Sequence, residues 1–129
     1  MMRTTYGRNA NGGTMTIQDV MARHGTAIRE GDVDGVLADY AEDSVIMSPG
    51  RTVRGLAEIC DLFADLFTNL IPPGLSKLEA TWSAMEGEYV FVVWKGESER
   101  HSFPVGTDTF LVRDDKIVFQ TFVPHTVDK

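Results

Sequence analysis

The chain has a helical first half and a strand-rich second half, and this order limits the folds that it can adopt. Apolar residues recur every three to four positions in the segments 16–30, 33–41 and 56–70, which predicts three helices with one buried face each. Short strands are expected at 44–48 and 52–54, before and after the turn signal Pro49-Gly50. Beyond Pro72-Pro73-Gly74, four long strands are predicted at 75–85, 89–97, 101–113 and 116–127. Helices followed by an antiparallel meander form an α+β pattern.

The four long strands can enclose a core together with three helices only if the sheet curls around the helices. Gly96 and Gly106 fall inside the strand runs, where bends or bulges belong. We therefore expect a curved antiparallel sheet wrapped around about three N-terminal helices, a cone-shaped barrel with a central pocket. Residues 15–129 are expected to form this single domain. Residues 1–14, rich in Gly, Asn, Arg and Thr, are expected to be a flexible leader.

Charge and cysteine content exclude several classes of function. The formal net charge is −7, from 12 basic and 19 acidic side chains, whereas nucleic acid and anionic lipid both require positively charged surfaces. Cys60 is the single cysteine, so neither an intramolecular disulfide nor a cysteine-based zinc site is expected. His24, His101 and His125 lack the short spacing of metal ligands. We expect no metal or cofactor, no membrane segment, no signal peptide and a cytoplasmic location.

Two ionisable residues stand where apolar side chains are expected. His24 interrupts the apolar face of the first helix, and Asp108 interrupts an apolar, Thr-rich strand. Burying an ionisable group is costly unless it is paired, hydrogen-bonded or neutralised. His24 and Asp108 are therefore the candidate catalytic residues. The alternative is that each is a structural polar group whose hydrogen bonds are satisfied, because such groups mark sites only statistically.

Three segments together resemble the SnoaL-like branch of the nuclear transport factor 2-like superfamily. They are REGDVDGVLADYAEDSVIMSP at 29–49, RG at 54–55 before a helix, and TDTFLVRDDKIV at 107–118. The resemblance extends from Thr16 to Val123 and implies the cystatin-like cone, which hosts ketosteroid isomerases, polyketide cyclases and proteins that only bind or dimerise. It also implies a homodimer in which the sheets pair through their outer faces.

The resemblance assigns roles to individual residues. Relative to ketosteroid isomerases, His24 falls at the position of the oxyanion tyrosine and Asp108 at that of the protonated oxyanion aspartate. The general base falls near Ser48, and a neutral serine hydroxyl is unsuited to removing a proton from carbon. The isomerase mechanism as such is therefore not expected. In SnoaL-type cyclases an aspartate of the same cavity acts as acid and base, a role that Asp108 would take with His24 beside it.

Further pocket residues are expected on the second helix and on the strands: Tyr40, Ser48, Trp94, Gln120 and Phe122. Trp94 and Gln120 are expected to face inward, although alternation alone does not decide which face of the sheet is concave. Two hypotheses follow. The first is a cofactor-free isomerase, cyclase or lyase that acts on a small apolar carbonyl compound. The second is a ligand-binding or dimerisation module without turnover.

Overall fold

The computed structural model describes residues 5–8 and 14–129. Its elements, in chain order, are β1 (Thr5–Arg8), β2 (Thr14–Thr16), α1 (Ile17–Glu30), α2 (Val33–Leu37), β3 (Tyr40–Ser48), β4 (Arg51–Arg54), α3 (Gly55–Asp65), a π-helical turn (Leu66–Leu70), β5 (Lys77–Glu86), β6 (Tyr89–Glu97), β7 (His101–Arg113), β8 (Lys116–Pro124) and β9 (Val127–Asp128). The predicted α+β order and the meander of four long strands are confirmed.

The main sheet has the strand order β4-β3-β8-β7-β6-β5, with β9 paired to β7. Strands β5 to β8 pair antiparallel as expected, but β3 pairs with β8 in parallel. The expected antiparallel sheet of long strands is present, and the parallel β3–β8 pair is an addition that the sequence did not indicate. Because α3 and the four strands β4 to β7 separate β3 from β8 in the chain, the chain returns to the same end of the sheet before β8 begins.

Helix α1 is fixed at both ends. The backbone N–H of Asp19 donates to the Thr16 hydroxyl at 3.1 Å, and the Asp19 carboxylate accepts from the Thr16 N–H at 3.0 Å, forming a capping box. Gly31 ends the helix at φ 64°, a left-handed conformation that glycine adopts without strain. The buried face of α1 includes His24 between apolar residues, so the helix directs this side chain toward the sheet.

The second helix is shorter than predicted. It ends at Leu37, and Tyr40 begins β3 instead of lying on a helix that continues to Ala41. The backbone after α2 bonds to the start of β8. The Asp39 carbonyl accepts from the Ile117 N–H at 2.7 Å, and the Ala38 carbonyl accepts from the Lys116 ammonium at 2.7 Å. These tertiary bonds override the local helical spacing.

The third helix has nearly the predicted extent but not a uniform geometry. The α-helix begins at Gly55, and its continuation over Leu66–Leu70 is π-helical. Leu66 and Phe67, both buried, belong to this wider turn. Such turns occur mostly as single insertions in helices and are frequent near functional sites.

The register of the sheet decides which face is concave. Val90, Phe110, Gln120 and Ile46 are paired in one row across β6, β7, β8 and β3. All four are buried, and they face the cavity under the helices. Neighbouring positions along each strand therefore point to the outer face of the sheet.

Two expectations concern the N-terminal segment and membranes. Strand β1, which lies in the predicted leader, pairs antiparallel with β2 at the start of the predicted domain. Residues 1–4 and 9–13 lie outside the described residues, so the flexibility of the leader stays a prediction. Among residues 5–8 and 14–129, no helix combines the length and the apolar character needed to cross a membrane.

Candidate functional site

A cavity of about 480 Å³ lies between α1, α3 and the concave face of the sheet. Its walls are mainly apolar and include Met21, Ile28, Leu62, Phe63 and Val92. Ligand sites in proteins commonly have this volume and this predominance of apolar lining, with a few polar groups that fix the ligand's orientation. Four of the polar groups, His24, Trp94, Asp108 and Gln120, come from α1 and from the strands β6, β7 and β8.

Asp108 supplies the carboxyl group of the cavity. It lies on β7, is 9% exposed and lines the cavity wall. The Trp94 indole Nε1 donates to its Oδ1 at 2.8 Å, and the Gln120 amide Nε2 donates to its Oδ2 at 2.8 Å. Both donors are neutral. Within the described part of the chain, no basic side chain forms a salt bridge with Asp108.

The environment of Asp108 changes its acidity. Burial raises the pKa of this carboxyl to about 6, while the hydrogen bonds from Trp94 and Gln120 and the proximity of His24 act in the opposite direction. The group is therefore mainly ionised at pH 7 but takes up a proton in mildly acidic solution. A carboxyl with this acidity can accept and release protons near neutral pH.

Tyr40 supports this arrangement from behind the cavity wall. Its hydroxyl donates to Gln120 Oε1 at 2.5 Å, which leaves the Gln120 Nε2 to donate to Asp108. Burial, followed by the nearby charges of Asp108 and Asp39, raises the pKa of Tyr40 well above its usual value of 10. Tyr40 is therefore a neutral donor that orients Gln120. It does not itself line the cavity, contrary to our expectation, because β3 places it beneath the Gln120 side chain.

His24 contributes a second titratable group from the opposite wall. Its Nδ1 lies 3.1 Å from Oδ2 of Asp39, a fully buried carboxylate, and the Arg23 Nε donates to Oδ1 of the same carboxylate at 2.7 Å. Because a carboxylate only accepts hydrogen bonds, Nδ1 carries the hydrogen. Among the described residues, none forms a hydrogen bond with His24 Nε2, and the ring itself lines the cavity.

His24 and Asp108 therefore share a cavity but are not hydrogen-bonded to each other. The carboxylate that orients His24 is Asp39, which the sequence analysis did not single out. Asp39 follows Val36 and Leu37 with the spacing of the predicted second helix, so it did not stand apart from the other acidic residues of this segment. The available signal was its position three residues after Val36, on the apolar side of that helix.

Trp94, Phe122 and Gln120 line the cavity, whereas Ser48 does not. The Trp94 and Phe122 rings are stacked at an angle of 8° with 6.3 Å between their centroids. Ser48 is the last residue of β3 and pairs with Arg51. It lies two residues beyond Ile46, which does line the cavity, so β3 has already passed the cavity wall at Ser48.

No metal centre is evident in this region. Among residues 5–8 and 14–129, no group of three His, Cys, Asp or Glu side chains is placed to hold a metal ion. The polar side chains that line the cavity include Asp108, His24 and Gln120, which can supply acid–base chemistry and hydrogen bonds.

The protonation of Asp108 can be followed through Trp94. The chain contains two tryptophans, so Trp82→Phe leaves Trp94, whose indole N–H contacts Asp108, as the only one. We expect the fluorescence of this variant to change with a midpoint at about pH 6. Adding Asp108→Asn should remove the transition. A titration that remains in the double variant would mean that another group causes it.

Stability should follow the same protonation. Because the pKa of Asp108 is higher in the folded chain than the ordinary value of about 3.9, its contribution to stability is full below about pH 4 and is lost as the pH rises through about 6. The free energy of unfolding of Asp108→Asn should therefore increase relative to that of the wild type as the pH rises from 4 to 7.5. Denaturant titrations at the two pH values measure this difference. An unchanged difference between the two proteins would contradict the raised pKa.

The curved sheet, the covering helices and the enclosed cavity define a pocket protein of the nuclear transport factor 2-like fold. The sequence pattern of the SnoaL-like domain matches residues 21–120, and the chain belongs to this family. No curated protein matches the sequence.

Solved structures with the same fold have low sequence identity. A proposed polyketide cyclase from Sinorhizobium meliloti is 19% identical, with 81% of this chain and 93% of that chain covered and a TM-score of 0.68. A proposed ketosteroid isomerase from Kribbella flavida is 16% identical, with 85% and 78% covered and a TM-score of 0.68. SalBIII, an epoxide hydrolase/cyclase-like enzyme of pyran ring formation in salinomycin, is 18% identical, with 84% and 89% covered and a TM-score of 0.71.

Proposed function

We propose that the protein is a cofactor-free isomerase, cyclase or lyase that acts on a small, largely apolar carbonyl compound. The observation that carries this proposal is the Asp108 carboxyl, which lies in the wall of an apolar cavity with a pKa raised to about 6. A base of this acidity removes a proton from a carbon atom next to a carbonyl group more readily than an ordinary aspartate does.

Asp108 and His24, on opposite walls of the cavity, suit different steps of such a reaction. Asp108 takes the proton from the carbon next to the carbonyl, and the electron pair moves onto the carbonyl oxygen. His24 Nε2 serves this oxygen as a proton shuttle or oxyanion donor, with Asp39 holding the ring by Nδ1. Return of the proton to another carbon completes an isomerisation. Attack of the enolate carbon on a second carbonyl completes a cyclisation, and loss of a leaving group completes an elimination.

Deuterium exchange tests the shared first step without knowledge of the natural substrate. In heavy water the wild-type protein should accelerate exchange of the hydrogens next to the carbonyl of 1-tetralone and similar cyclic ketones, detected by mass spectrometry. Asp108→Asn should lower the acceleration by about a hundredfold, within the usual range for a general base. Asp61→Asn, the same change at an exposed position of α3, should have no effect.

Catalysis would be contradicted if ketones bind the wild-type protein but exchange the hydrogens next to their carbonyl no faster than they do in buffer. The protein would then be a ligand-binding module, the alternative that the missing carboxylate at Ser48 favours.

We infer that the outer face of the sheet pairs with a second copy of the chain. This face contains Met47, Trp82, Phe91, Thr109 and Val123, and Trp82 is 58% exposed. The central row that crosses it from β5 to β3 holds only apolar side chains and threonines: Ala84, Phe91, Thr109, Thr121 and Met47. The next row toward the β5–β6 turn is apolar from Val45 to Tyr89 and ends in Glu86 at the edge strand. An apolar face of this kind, shared by identical chains, suits a symmetric interface.

Light scattering tests this pairing. The wild-type protein should have the mass of two chains, and Phe91→Glu should have the mass of one because two buried carboxylates would face an apolar surface. Leu75→Glu, at an exposed apolar residue outside the sheet, is the matched control and should remain a dimer. A monomeric wild type would contradict the inference.

A further inference from the structure

Among the described residues, no basic side chain forms a salt bridge with Asp108, the carboxylate in the wall of the cavity. Asp108 is 9% exposed, and its two hydrogen-bond partners in the described structure, Trp94 and Gln120, are neutral. Buried carboxylates are ordinarily paired with a cation or neutralised by a proton. Each carboxylate oxygen of Asp108 therefore accepts a hydrogen bond from a neutral donor, and neither forms a salt bridge with a described residue.

The basic residues nearest to the cavity are engaged elsewhere. The Arg23 Nε is bonded to Asp39 behind His24. Arg29 lies at the rim of the cavity, where its Nη2 donates to the Thr26 hydroxyl at 3.3 Å on the surface of α1. At the same rim, Glu79 lies 3.9 Å from the Lys95 ammonium. None of these side chains forms a salt bridge with Asp108.

The walls around this carboxylate suit an organic cation. Aromatic rings from three strands line the cavity: Trp94 and Phe122 are stacked beside Asp108, and Phe110 lies on the same concave face. Aromatic faces attract ammonium groups, and the attraction grows when water is excluded. The net charge of −7 also favours the approach of cations over anions.

We propose that the cavity binds a protonated amine carried on a compact apolar body, with the ammonium group at Asp108 and the apolar body against the aromatic walls. This ligand class goes beyond the proposed function, because binding requires the cavity and the carboxylate but no proton transfer to carbon. A bound amine would occupy the position of a carbonyl substrate, so it would also inhibit any turnover there.

Three compounds with one skeleton separate charge from shape and from hydrogen bonding: 1-aminotetralin, 1-tetralol and 1-tetralone. Calorimetry at pH 7.5 should show that the amine binds about tenfold or more tightly than the alcohol or the ketone. This preference should disappear in Asp108→Asn and persist in Asp61→Asn. Equal binding of the alcohol, a preference that survives Asp108→Asn, or no binding of the amine would each overturn the proposal.

The wild-type protein provides a second measurement that needs no substitution. Between pH 7.5 and 5 the amine stays protonated while Asp108 takes up a proton, so the preference for the amine should fall as the pH decreases through about 6. The other titratable groups that face Asp108 are His24 on α1 and Tyr40 on β3. Tyr40 stays neutral in this range, and a proton on His24 would weaken amine binding in the same direction. An amine preference independent of pH would contradict the assignment to Asp108.

The outcomes distinguish this proposal from the proposed function. Tight binding of the amine without deuterium exchange of 1-tetralone would support the amine site and remove the catalytic role. Exchange of 1-tetralone that depends on Asp108, without any preference for the amine, would support catalysis and overturn the amine site.

Discussion

Asp39→Ala is expected to lower the stability of the protein by about 3 to 5 kcal/mol, because the substitution removes a fully buried carboxylate that accepts two hydrogen bonds and leaves the His24 N–H without its acceptor. Asp39 has no exposed surface and accepts from both Arg23 and His24. The melting temperature should fall by about 10 to 20 °C for a domain of this size. The loss is a large part of the 5 to 15 kcal/mol typical of folded domains.

Comparison of variants separates the contributions of the two partners. Arg23→Ala should cost less than Asp39→Ala, since the Arg23 side chain is 41% exposed and water screens its charge. Asp61→Ala, at an exposed position on α3, is the matched control and should change stability by less than about 0.5 kcal/mol. Urea titration measures all three. If Asp39→Ala and Asp61→Ala have equal effects, Asp39 does not have the buried structural role described above.

Gly106→Ala is expected to lower stability by about 2 to 4 kcal/mol and to disconnect Trp94 from Asp108. A Cβ atom on Gly106 would overlap with the Trp94 indole, which lies flat against the glycine backbone. The indole must move, and its N–H then loses the bond to Oδ1 of Asp108. The fluorescence titration of Trp94 near pH 6 should consequently shift or disappear.

A double-mutant cycle tests whether Gly106 acts through the indole. In a Trp94→Leu background the same Gly106→Ala change should cost much less, because the overlapping ring is gone. Urea titration of the four proteins gives the coupling between the two positions. If the cost of Gly106→Ala is the same in both backgrounds, the strain comes from the backbone and the positioning role of Gly106 is wrong.

The order of elements could be predicted from the sequence because local spacing of apolar residues determines it. The boundary near Tyr40 could not, since the spacing of Val36, Leu37 and Tyr40 is helical and the opposing bond is made by Ile117, far away in the chain. The parallel pairing of β3 with β8 was missed for the same reason. Pairing between distant strands leaves no periodic signal in either strand.

The candidate site was predictable where a polar residue interrupts an apolar pattern. His24 and Asp108 interrupt a helix face and a strand in this way, and both line the cavity. Asp39 lies in a segment rich in acidic residues, and the only local signal for its burial was its position three residues after Val36, whereas its hydrogen bonds to Arg23 and His24 are tertiary contacts. Ser48 was expected at the cavity by analogy of position, although β3 passes the cavity wall before reaching it.

The parallel pairing of β3 with β8 also bears on the order of assembly during protein synthesis. Ser44 bonds to Ile117, 73 residues later, and the Asp39 carbonyl accepts from the same residue's N–H. While the ribosome is still making β8, a nascent chain that already contains His24 and Asp39 lacks the strand that holds Asp39 in place. Contacts between such distant segments form late and slow folding. The cavity is therefore complete only after β8 has left the ribosome, and a chain truncated before β8 would lack Gln120 and Phe122 in the cavity wall.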